Sequence, residues 1–259
     1  MPHATPSPIT APARVVFIGA GPGAADLITV RGARRLALAE VVLFDALSDP
    51  ALRDLAPTAR WVDVGKRGFG HATGQAAINA LLLDACRLHH HVVRLKGGDP
   101  SVFGRLEEEL ETLRAHGISC EVVPGVSAAL AAAADTQRPL TRRGTGRSVS
   151  LTTAMTHLGA LQASRTADTE VFYMAGRQLA ELSDKLLEAG WPADAPASVV
   201  SRAGWPDMLA TDHNVATLAD ATATHAHRPA VVTVGAGAAP VGVARAAADA
   251  AIAVQDPIA

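Results

Sequence analysis

The chain has 259 residues, a formal net charge of −2, 49% hydrophobic residues and 3% aromatic ones. That length suits one large domain or two smaller ones with a genuine core, while near-neutrality and scarce aromatics leave no field or stacking platform for nucleic acid. No apolar run approaches a membrane span, and Cys86 and Cys120 form neither a CxxC pair nor a disulfide framework, so a soluble protein of the reduced cytoplasm is expected.

Residues 1–13, rich in Pro, Ala, Thr and Ser, read as a disordered leader lacking the charged start and apolar stretch of a signal peptide. The run 14–19 ends in glycine and predicts a buried strand. Thr29 suits the N-cap of a helix reaching Glu40, and 41–44 predicts a second strand ending at Asp45. A helical stretch near 50–56 leads to a third strand at 61–64, then Gly65-Lys66-Arg67-Gly68. Residues 75–88 carry Ile78, Leu81, Leu82 and Ala85 at helical spacing, and 92–95 predicts the next strand. A helix over 106–116 places Leu106, Leu110 and Leu113 on one face. A strand at 120–123 closes at Pro124-Gly125, and an Ala-rich helix follows over 127–134.

Such alternation predicts a largely parallel sheet wrapped by helices, with ligands outside the carboxyl ends of its strands. Gly19 to Gly23, Asp45, Lys66, Gly97 to Asp99 and Pro124-Gly125 each follow a strand. The polar, glycine-bearing segment 139–146 reads as a joint between an N-terminal unit, 14–140, and a C-terminal unit, 146–245. In the latter, strands are predicted at 148–152, 170–174, 197–200 and 230–234, helices at 177–189 and 215–221, and the Ala-rich tail after Pro240 is a candidate terminal helix.

Two glycine loops carry the chemistry. Gly19-Ala20-Gly21-Pro22-Gly23-Ala24 fits the dinucleotide fingerprint, with Asp45 placed like the acid that holds a ribose, so a Rossmann-type NAD(P) oxidoreductase is one reading. Against it, Pro22-Gly23 stands where that motif's helix should begin. The better helix start, near Thr29, would deprive a pyrophosphate of the N-terminus that binds it. A tight turn with no ligand is the plainest alternative. The second loop, Arg94 to Arg105, runs a strand into Gly97-Gly98-Asp99-Pro100, where glycines let the backbone approach a ligand and proline fixes the exit. His89-His90-His91 lacks carboxylate or cysteine neighbours at ligand spacing, so no metal is expected.

Taken in order, Gly19 to Gly23, Val64-Gly65-Lys66-Arg67, Gln75 with Ile78-Asn79, Arg94 to Arg105, Val123 to Ser127, Pro139-Leu140-Thr141 with Arg143, and Val171 to Met174 resemble the successive motifs of the tetrapyrrole (corrin/porphyrin) methylases. The likeness covers roughly residues 14 to 236 and is nearest to the branch that methylates uroporphyrinogen III. It implies the class III methyltransferase architecture, two α/β subdomains with the active site in the cleft between them, and a homodimer. It implies S-adenosylmethionine as donor, S-adenosylhomocysteine as product, no metal, and a tetrapyrrole acceptor of cobalamin, siroheme or heme d1 biosynthesis.

Carried over position by position, the resemblance implies cofactor contacts at Pro22, Gly97, Gly98, Asp99, Val102, Ser127, Ala128, Met174 and Ala203. Asp99 is suited to accept hydrogen bonds from the cofactor, and Met174 and Val102 could equally be plain core residues. Glu108 and Asp45 are the candidate bases and Lys66 the candidate proton donor. Glu108 lies off the leucine stripe, as a cleft residue would, although acids at 107–109 also complement a helix N-terminus. Arg105, Arg142, Arg143 and Arg67 are the candidate clamps for substrate carboxylates, because a planar guanidinium matches a carboxylate. The chain departs from the family pattern at Arg138, Arg142, Ala203, Leu106-Glu107 and Thr152 to Thr156, mostly on the substrate side, so a sister enzyme acting on another precorrin is the alternative.

Overall fold

The computed structural model describes residues 13–45, 48–65, 74–154 and 160–242. The expected leader up to residue 12, Lys66, Arg67 and any helix beyond 242 lie outside the described residues. The chain divides into two compact units after Ser127, ahead of the 139–146 joint.

In the first unit, β1 (Arg14–Gly19), β2 (Val41–Phe44), β3 (Arg60–Asp63), β4 (His91–Lys96) and β5 (Ser119–Val123) form a parallel sheet in the order β3-β2-β4-β1-β5. Helices α1 (Val30–Leu36), α2 (Gln75–Leu88) and α3 (Leu106–Ala115) accompany it. Period-two alternation sends Val16, Ile18, Val42, Val93 and Leu95 into one core with Leu36 and Leu52. Val15, Phe17, Leu43 and Val92 enter a second core with Ile78, Leu82 and Leu113. Both faces are therefore buried, which is why these strands are nearly continuous apolar runs.

Thr29 caps α1, its Oγ1 accepting the Gly32 N–H at 3.0 Å. The helix stops at Leu36 rather than Glu40. Leu38 and Ala39 donate to Arg35 and Leu36, three residues back, and this tightened turn feeds the chain into β2. The expected helix near 50–56 is a 3₁₀ segment, Pro50–Leu55, begun by Asp49, whose Oδ1 accepts the Ala51 N–H.

In the second unit, β6 (Val149–Thr153), β7 (Thr169–Tyr173), β8 (Pro196–Ser201), β9 (Leu209–Asn214) and β10 (Ala230–Gly235) take the order β6-β7-β10-β8-β9. This sheet is mixed, not parallel: β10 runs antiparallel to β7 and β8, and β9 antiparallel to β8. β9 was not anticipated. Its Leu-Ala-Thr-Asp-His-Asn sequence has no apolar alternation because it is an edge strand, paired on one side and with none of its residues buried. α4 (Ala128–Asp135) packs on β10, and α5 (Leu179–Glu188) buries Leu179, Leu182 and Leu186 against the sheet core. The helix expected over 215–221 is only a 3₁₀ turn at Leu218–Ala221. No described helix is long and apolar enough to cross a membrane.

Candidate active site

Because β4, β1 and β5 are neighbours, the bends that follow them share one edge of the first sheet. There they interlock through backbone. The Gly98 N–H donates to the Gly21 carbonyl at 2.7 Å and the Gly21 N–H returns to the Gly98 carbonyl at 3.4 Å. Both glycines have left-handed φ, +81° and +69°, which other residues adopt only at a cost. A Cβ on Gly19 would lie 2.5 Å from Gly125 Cα, and one on Gly125 would lie 2.3 Å from the Gly98 carbonyl oxygen. Those three bends therefore meet at contact distances only glycine permits.

Asp99 fastens the assembly. Its Oδ1 accepts the Ser101 N–H at 2.7 Å, and its Oδ2 accepts the Gly125 N–H at 2.9 Å. The carboxylate expected to meet a cofactor thus holds the loop in shape, and a ligand would have only its remaining lone pairs. A Cβ on Gly98 would meet only Ser127 Cα, at 4.0 Å, so the bend leaves room for a small polar molecule against its backbone. Pro22 and Val102 are half-buried beside these bends and Ser127 is buried. These residues fit a cofactor carried largely by backbone groups.

Beside them, at the end of β2, stands Asp45, its side chain 31% exposed and its Oδ1 accepting from Arg94 Nη2 at 2.7 Å. Arg94 is buried and also faces Glu109, Nε to Oε2 at 3.2 Å, while Lys96 Nζ lies 2.7 Å from Glu109 Oε1. Burial first, then the Arg94 charge, pulls the Lys96 ammonium below its ordinary pKa, against the opposing pull of Glu109. Sequence reasoning missed this cluster, although a signal was present. Glu109 sits between Leu106 and Leu113 at helical spacing, on the apolar stripe itself, and Arg94 and Lys96 fall on one face of a buried strand.

Glu108 differs from its expected setting. Its side chain is 45% exposed and Arg105 grips it through Nε at 2.8 Å and Nη2 at 2.6 Å. That hydrogen bonding holds the Glu108 carboxyl below its ordinary pKa, which weakens it as a base. The same pair engages the guanidinium of Arg105. Arg142 is half-buried and donates to the Ala239 carbonyl, whereas Arg143 is exposed.

In the second unit β7 and β8 run the same way on either side of β10, so the residues after them share an edge. Met174 follows β7 with φ +61° and its side chain region 55% exposed, so it is not a core residue. Left-handed backbone in a residue other than glycine is strained, and such strain gathers at functional positions. Ala203 is buried in the turn after β8, between Arg202 (φ +54°) and Gly204 (φ +76°). α4 links the two places. Its Ala129 N–H donates to Tyr173 Oη at 3.2 Å, and Asp135 Oδ2 at its far end accepts the Gly204 N–H at 2.7 Å. Ala128, Met174 and Ala203 are thus organised by one helix.

Among the described residues no set of three or more His, Cys, Asp or Glu side chains converges as a metal site; His89 lies beside Glu40.

These features define a methyltransferase-like α/β protein whose first glycine loop is locked to a second rather than opening a helix. The family profile of Tetrapyrrole (Corrin/Porphyrin) Methylases matches residues 14–219, and the chain belongs to that family. It is 40% identical over 227 residues to the uroporphyrinogen-III C-methyltransferase of Pseudomonas aeruginosa, covering 86% of this chain and 93% of that one. It is 39% identical to the siroheme synthase of Psychrobacter cryohalolentis, but spans only 42% of that protein's length. Among solved structures, a uroporphyrin-III C-methyl transferase from Thermus thermophilus complexed with S-adenosyl homocysteine superposes with TM-score 0.76 at 35% identity, over 86% of this chain and 97% of that one. A cobalt precorrin-4 methyltransferase gives TM-score 0.76 at 30% identity, over 88% and 96%.

Proposed function

We propose that this chain transfers methyl groups from S-adenosylmethionine to carbon atoms of uroporphyrinogen III, giving precorrin-2 through precorrin-1 for cobalamin, siroheme or heme d1 biosynthesis. The observation that carries this reading is the interlocking of the 19–23, 97–99 and 124–127 bends at the carboxyl edge of the first sheet, where α/β folds bind their ligands. The near full-length similarity to the Pseudomonas aeruginosa enzyme supports the acceptor. A homodimer working in the cytoplasm is part of the same proposal.

The donor supplies a methyl group on a sulfonium, already activated, so the chain's own task is chiefly positioning. Pro22, Gly97, Gly98, Asp99, Val102, Ser127, Ala128, Met174 and Ala203 are assigned to hold it. The acceptor carbon must lose a proton as the macrocycle rearranges, and a positioned base contributes roughly 10²–10⁴-fold. Asp45 is that base. Its Oδ1 is held by Arg94, which leaves Oδ2 as the oxygen assigned to take the proton. Glu108 is the weaker candidate because Arg105 already grips its carboxylate. Lys66 is assigned the complementary proton donation, and Arg67, Arg105 and Arg143 the acceptor's carboxylates.

A sister reaction on another precorrin is the second reading. It is favoured by Arg142, which binds the Ala239 carbonyl instead of presenting a carboxylate clamp. Anaerobic incubation with methyl-labelled S-adenosylmethionine decides between them. Uroporphyrinogen III should gain two labelled methyl groups. Label reaching only a later corrin precursor would favour the sister reading, and donor binding without any transfer would overturn both.

A further inference from the structure

The reading above leaves Lys96 and Glu109 unused, yet with Arg94 they form the most buried charge cluster among the described residues. Glu109 is 0% exposed. It receives Lys96 Nζ at 2.7 Å, Arg94 Nε at 3.2 Å and Gln75 Nε2 at 3.2 Å. Arg94 is further held by the Leu43 and Leu95 carbonyls and, at its outer end, by Asp45. Two cations therefore face two carboxylates, and only Asp45 reaches solvent. The arrangement is balanced, and balance matters because an uncompensated buried charge is strongly destabilising.

Without Glu109, the carboxylate left in contact with these buried cations among the described residues would be Asp45, on Arg94. It would be drawn inward, away from the edge where the bends lie. We infer that Glu109 is a positioning residue for methyl transfer: by neutralising Lys96 and sharing Arg94, it keeps the Asp45 carboxylate at the rim. The inference rests on the reading of Asp45 as base.

Four proteins test this: wild type, Glu109→Gln, Lys96→Met, and the charge-balanced double variant Lys96→Met/Glu109→Gln. For each, kcat is measured with uroporphyrinogen III, and the Kd for S-adenosylhomocysteine is measured separately. The expected result is a loss of about 10²-fold in kcat for Glu109→Gln, with Kd changed by less than about threefold. Removing Lys96 as well should then restore kcat to within about tenfold of wild type, a coupling that a double-mutant cycle reads directly. A merely structural role would lower affinity together with kcat, and the second truncation would add to the damage. Wild-type kcat in Glu109→Gln, or a double variant worse than the single, overturns the inference while leaving the methyltransferase reading intact. No transfer by wild type overturns that reading and this inference with it. Should Glu109→Gln not accumulate as folded protein, the double variant alone carries the test, and a loss of about 10²-fold or more there contradicts the proposal.

Discussion

The carboxylate of Asp99 accepts the backbone N–H of Gly125 at 2.9 Å, tying the bend after β4 to the bend after β5. A hydrogen bond to a charged acceptor contributes about 1.5–3 kcal/mol, and this one also sets the shape of the surface assigned to the cofactor. Asp99→Ala should therefore weaken S-adenosylhomocysteine binding by roughly 10–100-fold in calorimetric titration, with Asp99→Asn losing less. An unchanged Kd in Asp99→Ala would detach this bend from cofactor binding.

Gly125→Ala should be among the most damaging single-methyl changes in the chain, because the added carbon would lie 2.3 Å from the Gly98 carbonyl oxygen and 2.7 Å from Gly19 Cα, all backbone. Overpacking against atoms that cannot swing aside costs about 1–3 kcal/mol or more. The melting temperature should fall by several degrees and cofactor affinity should fall with it. Gly74→Ala is the control, since a Cβ there meets nothing within 4 Å. It should cost no more than about 1 kcal/mol, the difference between glycine and alanine at an N-cap. Equal melting temperatures for the two variants would contradict the packing of the bends.

Asp45→Asn and Glu108→Gln separate the two candidate bases. Asp45→Asn should reduce kcat by about 10²-fold or more with cofactor affinity retained. Glu108→Gln breaks a surface pair with Arg105, and exposed pairs contribute about 1 kcal/mol at most, so kcat should change by no more than about threefold. The reverse order of effects would move the proton transfer to α3.

A buried polar chain in the second unit predicts a pH dependence of stability. His225, fully buried, meets Ser201 Oγ through Nδ1 at 2.9 Å and Thr211 Oγ1 through Nε2 at 2.8 Å. Arg228 Nε donates to the same Ser201 hydroxyl, and His213 meets the same Thr211 hydroxyl. Burial first, then His213 and Arg228, pushes the His225 pKa below its ordinary 6.5. The unfolded chain therefore binds this proton more readily than the folded one, so stability is retained above pH 6.5 and declines as pH falls from there toward the lowered folded pKa. The slope from this one group cannot exceed about 1.4 kcal/mol per pH unit. Denaturant midpoints between pH 7 and 5 should fall less steeply in His225→Gln than in wild type. Parallel slopes would remove His225 from the acid response.

The first sheet was legible strand by strand, to within a residue at each end, because strands buried on both faces leave continuous apolar runs and the residues after them stand out by composition. β9 was not legible: an exposed edge strand needs only backbone pairing, and Leu209 to Asn214 carry no pattern that distinguishes them from a loop. α1 was overextended because helical propensity continues through Leu38 and Ala39, whereas the turn that ends it is imposed by the entry into β2. Asp99 stands in a loop as its sequence predicts, but nothing in the sequence announces that Gly125 occupies one of its oxygens. Glu108 drew attention for lying off the leucine stripe. The informative acid was Glu109, conspicuous because a carboxylate on that stripe requires buried cations to meet it.

The most direct test of the account is a crystal structure of this chain with S-adenosylhomocysteine bound. The ligand should lie against the backbone of Gly97 and Gly98 and touch Pro22 and Ser127. A fully occupied ligand seated away from the 97–99 bend would contradict it.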